Sequence, residues 1–144
     1  MQTPFHLACK YGYPKIANFL IQKAIELKKD VNTLCHIDGF HNSKKILNIM
    51  NGFHFACKNG HSDIVEMIIL KADEIEIDLN AKAIHGNKWY SNVSDKETAF
   101  HLACENGHFK TVEIIILKSA EFNIDLNAKD SSNYTGFHLG KLIL

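Results

Sequence analysis

The stretch Thr3-Pro4-Phe5-His6-Leu7-Ala8-Cys9 decides the fold, because closely related stretches return later in the same chain. A second copy starts at Asn51 and a third at Thr98, and a fourth, incomplete copy starts at Thr135. From one copy to the next, the phenylalanine of the stretch advances by 48, 47 and 37 residues. Self-similarity at spacings of this size is the sequence signature of an array of stacked units.

The third copy shows what one unit encodes. Thr98 can cap a helix N-terminus with its hydroxyl group, and the mostly apolar run from Phe100 to Cys104 predicts a short helix. Asn106-Gly107 ends that helix, because glycine takes the left-handed conformation that side chains resist. Apolar residues with helical spacing then predict a second helix from about Phe109 to Phe122. One such helix pair cannot bury its apolar stripe alone, whereas stacked neighbours can.

These stretches resemble the ankyrin repeat, whose signature Thr-Pro-Leu-His-x-Ala recurs about every 33 residues and precedes two antiparallel helices. Residues 3–8 match the signature, with Phe5 in place of leucine. Gly60-His61 and Gly107-His108 resemble the family's turn between the two helices. The resemblance implies a mainly α fold, an ankyrin-repeat solenoid of stacked helix-turn-helix units that are joined by hairpin-like loops.

The same resemblance divides the chain into units and inserts. Repeat 1 is assigned to residues 1–34, without an N-terminal cap, repeat 2 to 51–82, repeat 3 to 98–129 and a partial repeat 4 to 130–144. The inserts at 35–50 and 83–97 fall where the family has a β-hairpin finger between repeats.

Two details of these units are expected to depart from the family pattern. Each full unit carries about four extra residues, which we expect to lengthen the outer helix by about one turn. Near the end of the first insert, an apolar cluster is expected to form one amphipathic turn that packs on repeat 2. This cluster consists of Ile46, Leu47, Ile49 and Met50.

Composition restricts the class of partner. Sixteen lysines and no arginine balance 16 acidic residues, so the formal net charge of the 144 residues is +0. Phosphate and guanine recognition relies on a basic excess and on guanidinium groups, so we expect no nucleic-acid partner. The apolar runs are far shorter than a membrane span, and the first residues do not resemble a secretion signal. We therefore expect no membrane insertion and a cytoplasmic location, with a nuclear one as the alternative.

The histidines of the repeats are interpreted as structural. His6, His54, His101 and His138 occupy one repeat position. Identical placement in every copy is what a repeated structure requires, whereas a catalytic site needs one asymmetric constellation. No catalytic residue and no cofactor are predicted.

The cysteines of the repeats share a position in the same way. Cys9, Cys57 and Cys104 would form a row in the stacked array. Zinc needs four ligands converging at about 2.0–2.3 Å, and packed units lie roughly 10 Å apart. We therefore predict no metal site, and a His/Cys metal-binding protein is the least favoured hypothesis.

The resemblance implies a non-catalytic protein-interaction module, a scaffold or adaptor, that binds an unidentified protein through its concave face and finger loops. Carried over position by position, the partner-binding residues lie at the ends of the inner helices, in the second insert and in the last finger. They are Lys10, Tyr11, Lys58, Asn59, Trp89, Tyr90, Glu105, Asn106, Ser131 and Tyr134.

Two alternatives accompany this hypothesis. Trp89 is the only tryptophan and suits an interface anchor, but it can also fold back over the neighbouring repeats. The whole chain can also be a targeting or regulatory ankyrin segment of a larger enzyme or channel.

Overall fold

The computed structural model describes residues 1–31, 35–41, 44–85 and 95–141. Within these residues there are seven helices and four strands. The helices are α1 (Pro4–Tyr11), α2 (Pro14–Leu27), α3 (Gly52–Lys58), α4 (Ser62–Leu70), α5 (Ala99–Glu105), α6 (Phe109–Lys118) and α7 (Gly136–Lys141). The strands are β1 (Cys35–His41), β2 (Lys44–Met50), β3 (Lys82–His85) and β4 (Asp95–Thr98).

The helices stack in two rows. Helices α1, α3, α5 and α7 pack on one another in that order and form the inner row. Helices α2, α4 and α6 pack in the same order and form the outer row. Each outer helix also packs on the inner helix that precedes it in the chain. The predicted mainly α solenoid of helix pairs is confirmed.

The core runs along the array instead of filling one globule. Phe5, Phe53 and Phe100, from one repeat position, are all buried between neighbouring inner helices. Burial of each such side chain contributes roughly 1.5–3 kcal/mol, so contacts between units stabilise the array.

Helices α1, α3 and α5 begin with the same reciprocal cap. In α5, the amide of His101 donates to Oγ1 of Thr98, and the amide of Thr98 donates to Nδ1 of His101 at 3.2 Å. Asn51 replaces threonine at the start of α3 and makes the equivalent pair of hydrogen bonds with His54. These caps satisfy helix N–H groups that have no partner within the helix. The capping role predicted for Thr98 is confirmed.

The outer helices differ from the predicted length in two of three units. Helix α2 is extended to Leu27, but α4 and α6 end at Leu70 and Lys118, and hydrogen-bonded turns follow over 71–76 and 119–123. The continuous helix predicted to Phe122 is therefore wrong. Each turn ends in a left-handed residue, Glu76 or Asn123, and the next amide bonds back five residues. This Schellman-type closure satisfies the last carbonyl groups without another helical turn.

The two inserts supply a four-stranded antiparallel sheet with the order β1-β2-β3-β4. Strand β1 pairs along its whole length with β2, from Cys35 opposite Met50 to His41 opposite Lys44. The amphipathic turn predicted around Ile46 is wrong, because this segment is strand β2. A short apolar run fits a helix and a strand equally well, and here the ladder with β1 satisfies its backbone.

Candidate protein-binding surface

The ends of the inner helices bring six of the predicted binding residues into one series. Lys10 and Tyr11 end α1, Lys58 and Asn59 lie at the end of α3, and Glu105 and Asn106 lie at the end of α5. Tyr11 is 57% exposed, and the two lysines are half-buried. The inner row therefore presents one pair of side chains per unit to solvent.

Asn59 and Asn106 also have a local structural role. The Asn59 amide nitrogen donates to the carbonyl oxygen of Phe55 at 2.9 Å, and that of Asn106 donates to Leu102 at 2.7 Å. Both side chains thereby cover a carbonyl group of the last helical turn. Both residues are nevertheless exposed. Their amide groups are therefore accessible to a partner and are held in one orientation by these hydrogen bonds.

The spacing of the series is set by histidines that link adjacent units. Nε2 of His61 lies 3.0 Å from the carbonyl oxygen of Lys10, and Nε2 of His108 lies 2.8 Å from that of Lys58. Each imidazole ring lies against the glycine of the preceding unit, Gly12 or Gly60, where a β-carbon would come within 2.5 Å of the ring. These two glycines also have φ values of 75° and 73°, which glycine adopts readily.

Sequence reasoning identified these histidines only as part of a turn. The sequence does contain a signal for their role as links between units. The two units that follow another unit have histidine at this position, whereas the first unit, which has no unit before it within the described residues, has Tyr13.

The last finger carries two more predicted residues, next to the start of α7 and to the first turn of α5. The carboxylate of Asp130 accepts hydrogen bonds from the amides of Ser132 and Tyr134 at 2.8 Å and closes this loop. Oγ of Ser131 accepts a hydrogen bond from the amide of Lys96 in β4 at 3.0 Å. Ser131 thus fixes the finger to the sheet, whereas the ring of Tyr134 is half-exposed.

The predicted aromatic pair Trp89-Tyr90 lies outside the described residues, in the connection between β3 and β4. The four-stranded sheet was not predicted as a unit. It results from pairing between β2 and β3, which come from two different inserts that are far apart in the sequence. Local patterns contain no signal for such a pairing.

The repeat histidines have structural partners. Nε2 of His54 lies 2.8 Å from the carbonyl oxygen of Ala81, and Nε2 of His101 lies 3.0 Å from that of Tyr134. Each therefore connects its helix to the loop that follows it. Among the residues that the structure describes, no three His, Cys, Asp or Glu side chains are grouped so that they could hold a metal ion.

The three cysteines of the repeat form a row of buried thiols. Burial raises the pKa of Cys9 to about 12 and that of Cys104 to about 11. Burial also raises the pKa of Cys57 well above its usual value, and the thiols on either side of it raise it further. Neutral thiols are poor nucleophiles and poor metal ligands, so this row serves as packing.

The surface carries charge of both signs. Its ion pairs are exposed, as between Lys71 and Glu74 at 2.7 Å or Lys110 and Asp63 at 3.8 Å, and pairs of this kind contribute little to stability. No helix in the described part of the chain is both long enough and apolar enough to cross a bilayer.

Comparison with known proteins agrees with this architecture. A family model for three copies of the ankyrin repeat matches residues 31–130, and a single-repeat model matches residues 2–33. No individual curated protein matches the chain. Ankyrin repeats are generally protein–protein interaction modules. With matched segments that cover nearly all of its length and with the helix pairs described above, the chain belongs to the ankyrin repeat family.

Proposed function

We propose that this chain is a non-catalytic scaffold or adaptor module that holds a protein partner on the ends of its inner helices and the adjoining fingers. One observation carries the proposal: the packing residues of the inner helices are constant between units, whereas the residues at the helix ends vary. The capping histidine, the alanine and the cysteine recur in α1, α3 and α5, but the ends of these helices read Lys-Tyr, Lys-Asn and Glu-Asn. A repeat array uses its constant positions for packing and its variable ones for recognition.

Two exposed tyrosines are the proposed anchors. Tyr11 ends α1 and Tyr134 lies in the last finger just before α7, and both rings are exposed. Each ring is rigid and has few rotamers to lose when a partner covers it. Nζ of Lys10 lies 5.2 Å from the centre of the Tyr11 ring. The ammonium group therefore places a positive charge beside this anchor. Trp89 and Tyr90 are proposed as further anchors. Since the chain contains no arginine, these aromatic residues have to supply the hot spot.

The remaining predicted residues set polarity along the proposed surface. Lys58 and Lys10 make one end basic, whereas Glu105 makes the other end acidic, and Asn59, Asn106 and Ser131 supply neutral polar groups. A partner surface with an acidic and a basic portion is complementary to this arrangement. We place the interaction in the cytoplasm or the nucleus, where buried thiols remain reduced.

The experiment compares partner capture by the intact chain and by a Tyr11→Ala/Tyr134→Ala variant, with crosslinking and quantitative mass spectrometry. We expect the double variant to recover its specific partner about tenfold less well, because truncated aromatic anchors lose more binding energy than other contacts. The matched control is Phe19→Ala, which removes an equally exposed ring from the outer helix α2. Equal recovery by a folded double variant would contradict the proposed surface.

A further inference from the structure

Helix α4 exposes a large apolar side chain although it has an outer helix on each side. It packs on both α2 and α6, and its Leu70 is nevertheless 50% exposed. The equivalent residue of α6, Leu117, is 74% exposed. Because stacking on both sides leaves Leu70 open, this repeat position faces outward from the row, and its exposure does not depend on a neighbouring unit.

Each of these leucines belongs to a surface with an apolar and an acidic part. Met67 precedes Leu70 by three residues and Glu66 precedes it by four, so the three side chains share one face of α4. Helix α6 repeats this face with the same spacing. We name the two faces together the outer patch, which consists of Glu66, Met67, Leu70, Glu113, Ile114 and Leu117.

The first unit does not continue the outer patch. In α2 the residues equivalent to Leu70 and Glu66 are Gln22 and Asn18. The exposed leucine and the acidic residue thus occur together in the second and third units and are absent together from the first. Helix α2 packs on α4 without them, so stacking does not require the pair. An exposed apolar group that packing does not require is typical of a binding site.

The charge on the outer patch is negative. Glu66 and Glu113 are exposed, and neither forms an ion pair with a described residue. On the other side of the leucines the charges neutralise each other: Lys71 pairs with Glu74 at 2.7 Å, and Lys118 pairs at 3.8 Å with the glutamate three residues after it. The unpaired carboxylates therefore lie on one side only, towards the N-termini of the two helices.

We infer that the outer patch binds one basic amphipathic α-helix of a partner protein, which lies across α4 and α6. Packed helices are roughly 8–10 Å apart, so Leu70 and Leu117 repeat at about that distance. Residues i and i+7 of an α-helix lie about 10.5 Å apart on one face. An extended strand covers about 10 Å in three residues, which places successive contacts on opposite faces. A helix therefore places an apolar residue on each leucine, and a strand does not.

The unpaired carboxylates determine the charge of this helix. Lysine or arginine residues that repeat every seven positions along one flank lie beside Glu66 and Glu113. Anionic lipid headgroups would bring further negative charge against these carboxylates, and so would the same patch of a second copy. The outer patch is also separate from the proposed binding surface, which lies at the ends of the inner helices.

The test uses a fluorescein-labelled peptide of three heptads as the probe. Each heptad has leucine at the first and fourth positions, lysine at the fifth, and alanine or glutamine elsewhere. Fluorescence anisotropy during titration with the intact chain should show saturable binding, which Leu117→Gln should weaken by about tenfold because one buried aliphatic contact is lost. Leu27→Gln is the matched control, since it changes a 64% exposed leucine of α2 outside the patch and should leave the affinity unchanged.

A charge-reversal experiment tests the acidic part of the patch. The intact chain and a Glu66→Lys/Glu113→Lys variant are each titrated into the lysine peptide and into a peptide with glutamate at the fifth position. The intact chain should bind the lysine peptide about tenfold more tightly, and the variant should prefer the glutamate peptide. A reversed preference also shows that the variant is folded.

Four outcomes would overturn the inference. The first is an absence of saturable binding, and the second is an equal loss of affinity in Leu27→Gln and Leu117→Gln. The third is equal binding of the lysine and glutamate peptides by the intact chain, or a bound peptide that circular dichroism shows to be non-helical. The fourth is a dimer of the chain in sedimentation that Leu117→Gln dissociates, since the patch would then hold a second copy.

Discussion

The ring of Phe5 fills the space in which a β-carbon at Gly52 would lie, with its Cε1 atom 2.5 Å from that position. Phe100 stands in the same relation to Gly136, also at 2.5 Å. The family signature has leucine and proline at these two positions. A larger ring in one unit and a missing side chain in the next therefore compensate for each other across the interface.

Gly52→Ala should lower the free energy of unfolding by about 1–3 kcal/mol, because the added methyl group displaces the buried Phe5 ring. Urea unfolding followed by circular dichroism measures the effect. Gly140→Ala is the matched control: a β-carbon there meets no atom within 4 Å, and a helical alanine should stabilise by up to about 1 kcal/mol. In a Phe5→Leu background the cost of Gly52→Ala should shrink, and an unchanged cost would show that the ring is not the cause.

His101→Ala should destabilise the chain by about 2–4 kcal/mol. Nδ1 of His101 accepts from the buried Thr98 amide, and Nε2 reaches the carbonyl oxygen of Tyr134, so the substitution leaves both backbone groups without a partner. The amide of Thr135 likewise donates to Nδ1 of His138, but His138 is exposed, so His138→Ala should cost less than half as much. Thermal unfolding of both variants gives the comparison, and equal losses would contradict the role of burial.

Thr111→Val should raise the free energy of unfolding by about 0.5–1 kcal/mol. Its hydroxyl group is buried without a hydrogen-bond partner in the described structure, and the equivalent residue of the second unit is Ile64. Replacement of an unsatisfied hydroxyl by a methyl group of similar size removes the desolvation penalty. Thr98→Val serves as the opposite control, since it removes a helix cap and should cost about 1 kcal/mol. A loss of stability in Thr111→Val would indicate that the hydroxyl group is satisfied in solution.

Stability should fall as the pH rises above about 9. The folded pKa of the buried thiols is raised, whereas an unfolded thiol titrates near about 8.5, so the unfolded chain releases its protons first. The stabilisation is complete below that pH and is lost as the pH approaches the folded pKa values. Each thiol should account for about 1.4 kcal/mol per pH unit in this range.

Urea unfolding of the intact chain and of Cys57→Ala at a series of pH values tests the contribution of the central thiol. The variant should have a shallower decline by the amount for one thiol, whatever its stability at neutral pH. Parallel declines would mean that Cys57 does not stay neutral in the folded state.

The inner helices were predictable residue by residue. In α5, for example, the helix cap is specified by Thr98, the buried hydrogen-bonding group by His101 and the end of the helix by Gly107. These rules involve residues that are close in the sequence, so they act before any tertiary contact forms. The positions of Tyr11 and Asn59 at the helix ends were predictable to the same extent, because they follow directly from the ends of these helices. The hydrogen bond between Ser131 and the amide of Lys96 was not predictable, because the two residues lie far apart in the sequence.

The sequence by itself determined the repeated helix pairs, their caps and their turns, because each depends on residues that are neighbours along the chain. Only the tertiary structure decided the conformation of the inserts, where β2 pairs with β3 across the second unit. It also decided which apolar residues are covered, since Ile69 and Ile116 occupy the same repeat position but, among the described helices, only that of Ile69 has an outer helix on both sides. Burial depends on which neighbours surround a position, and a repeated local pattern does not specify those neighbours.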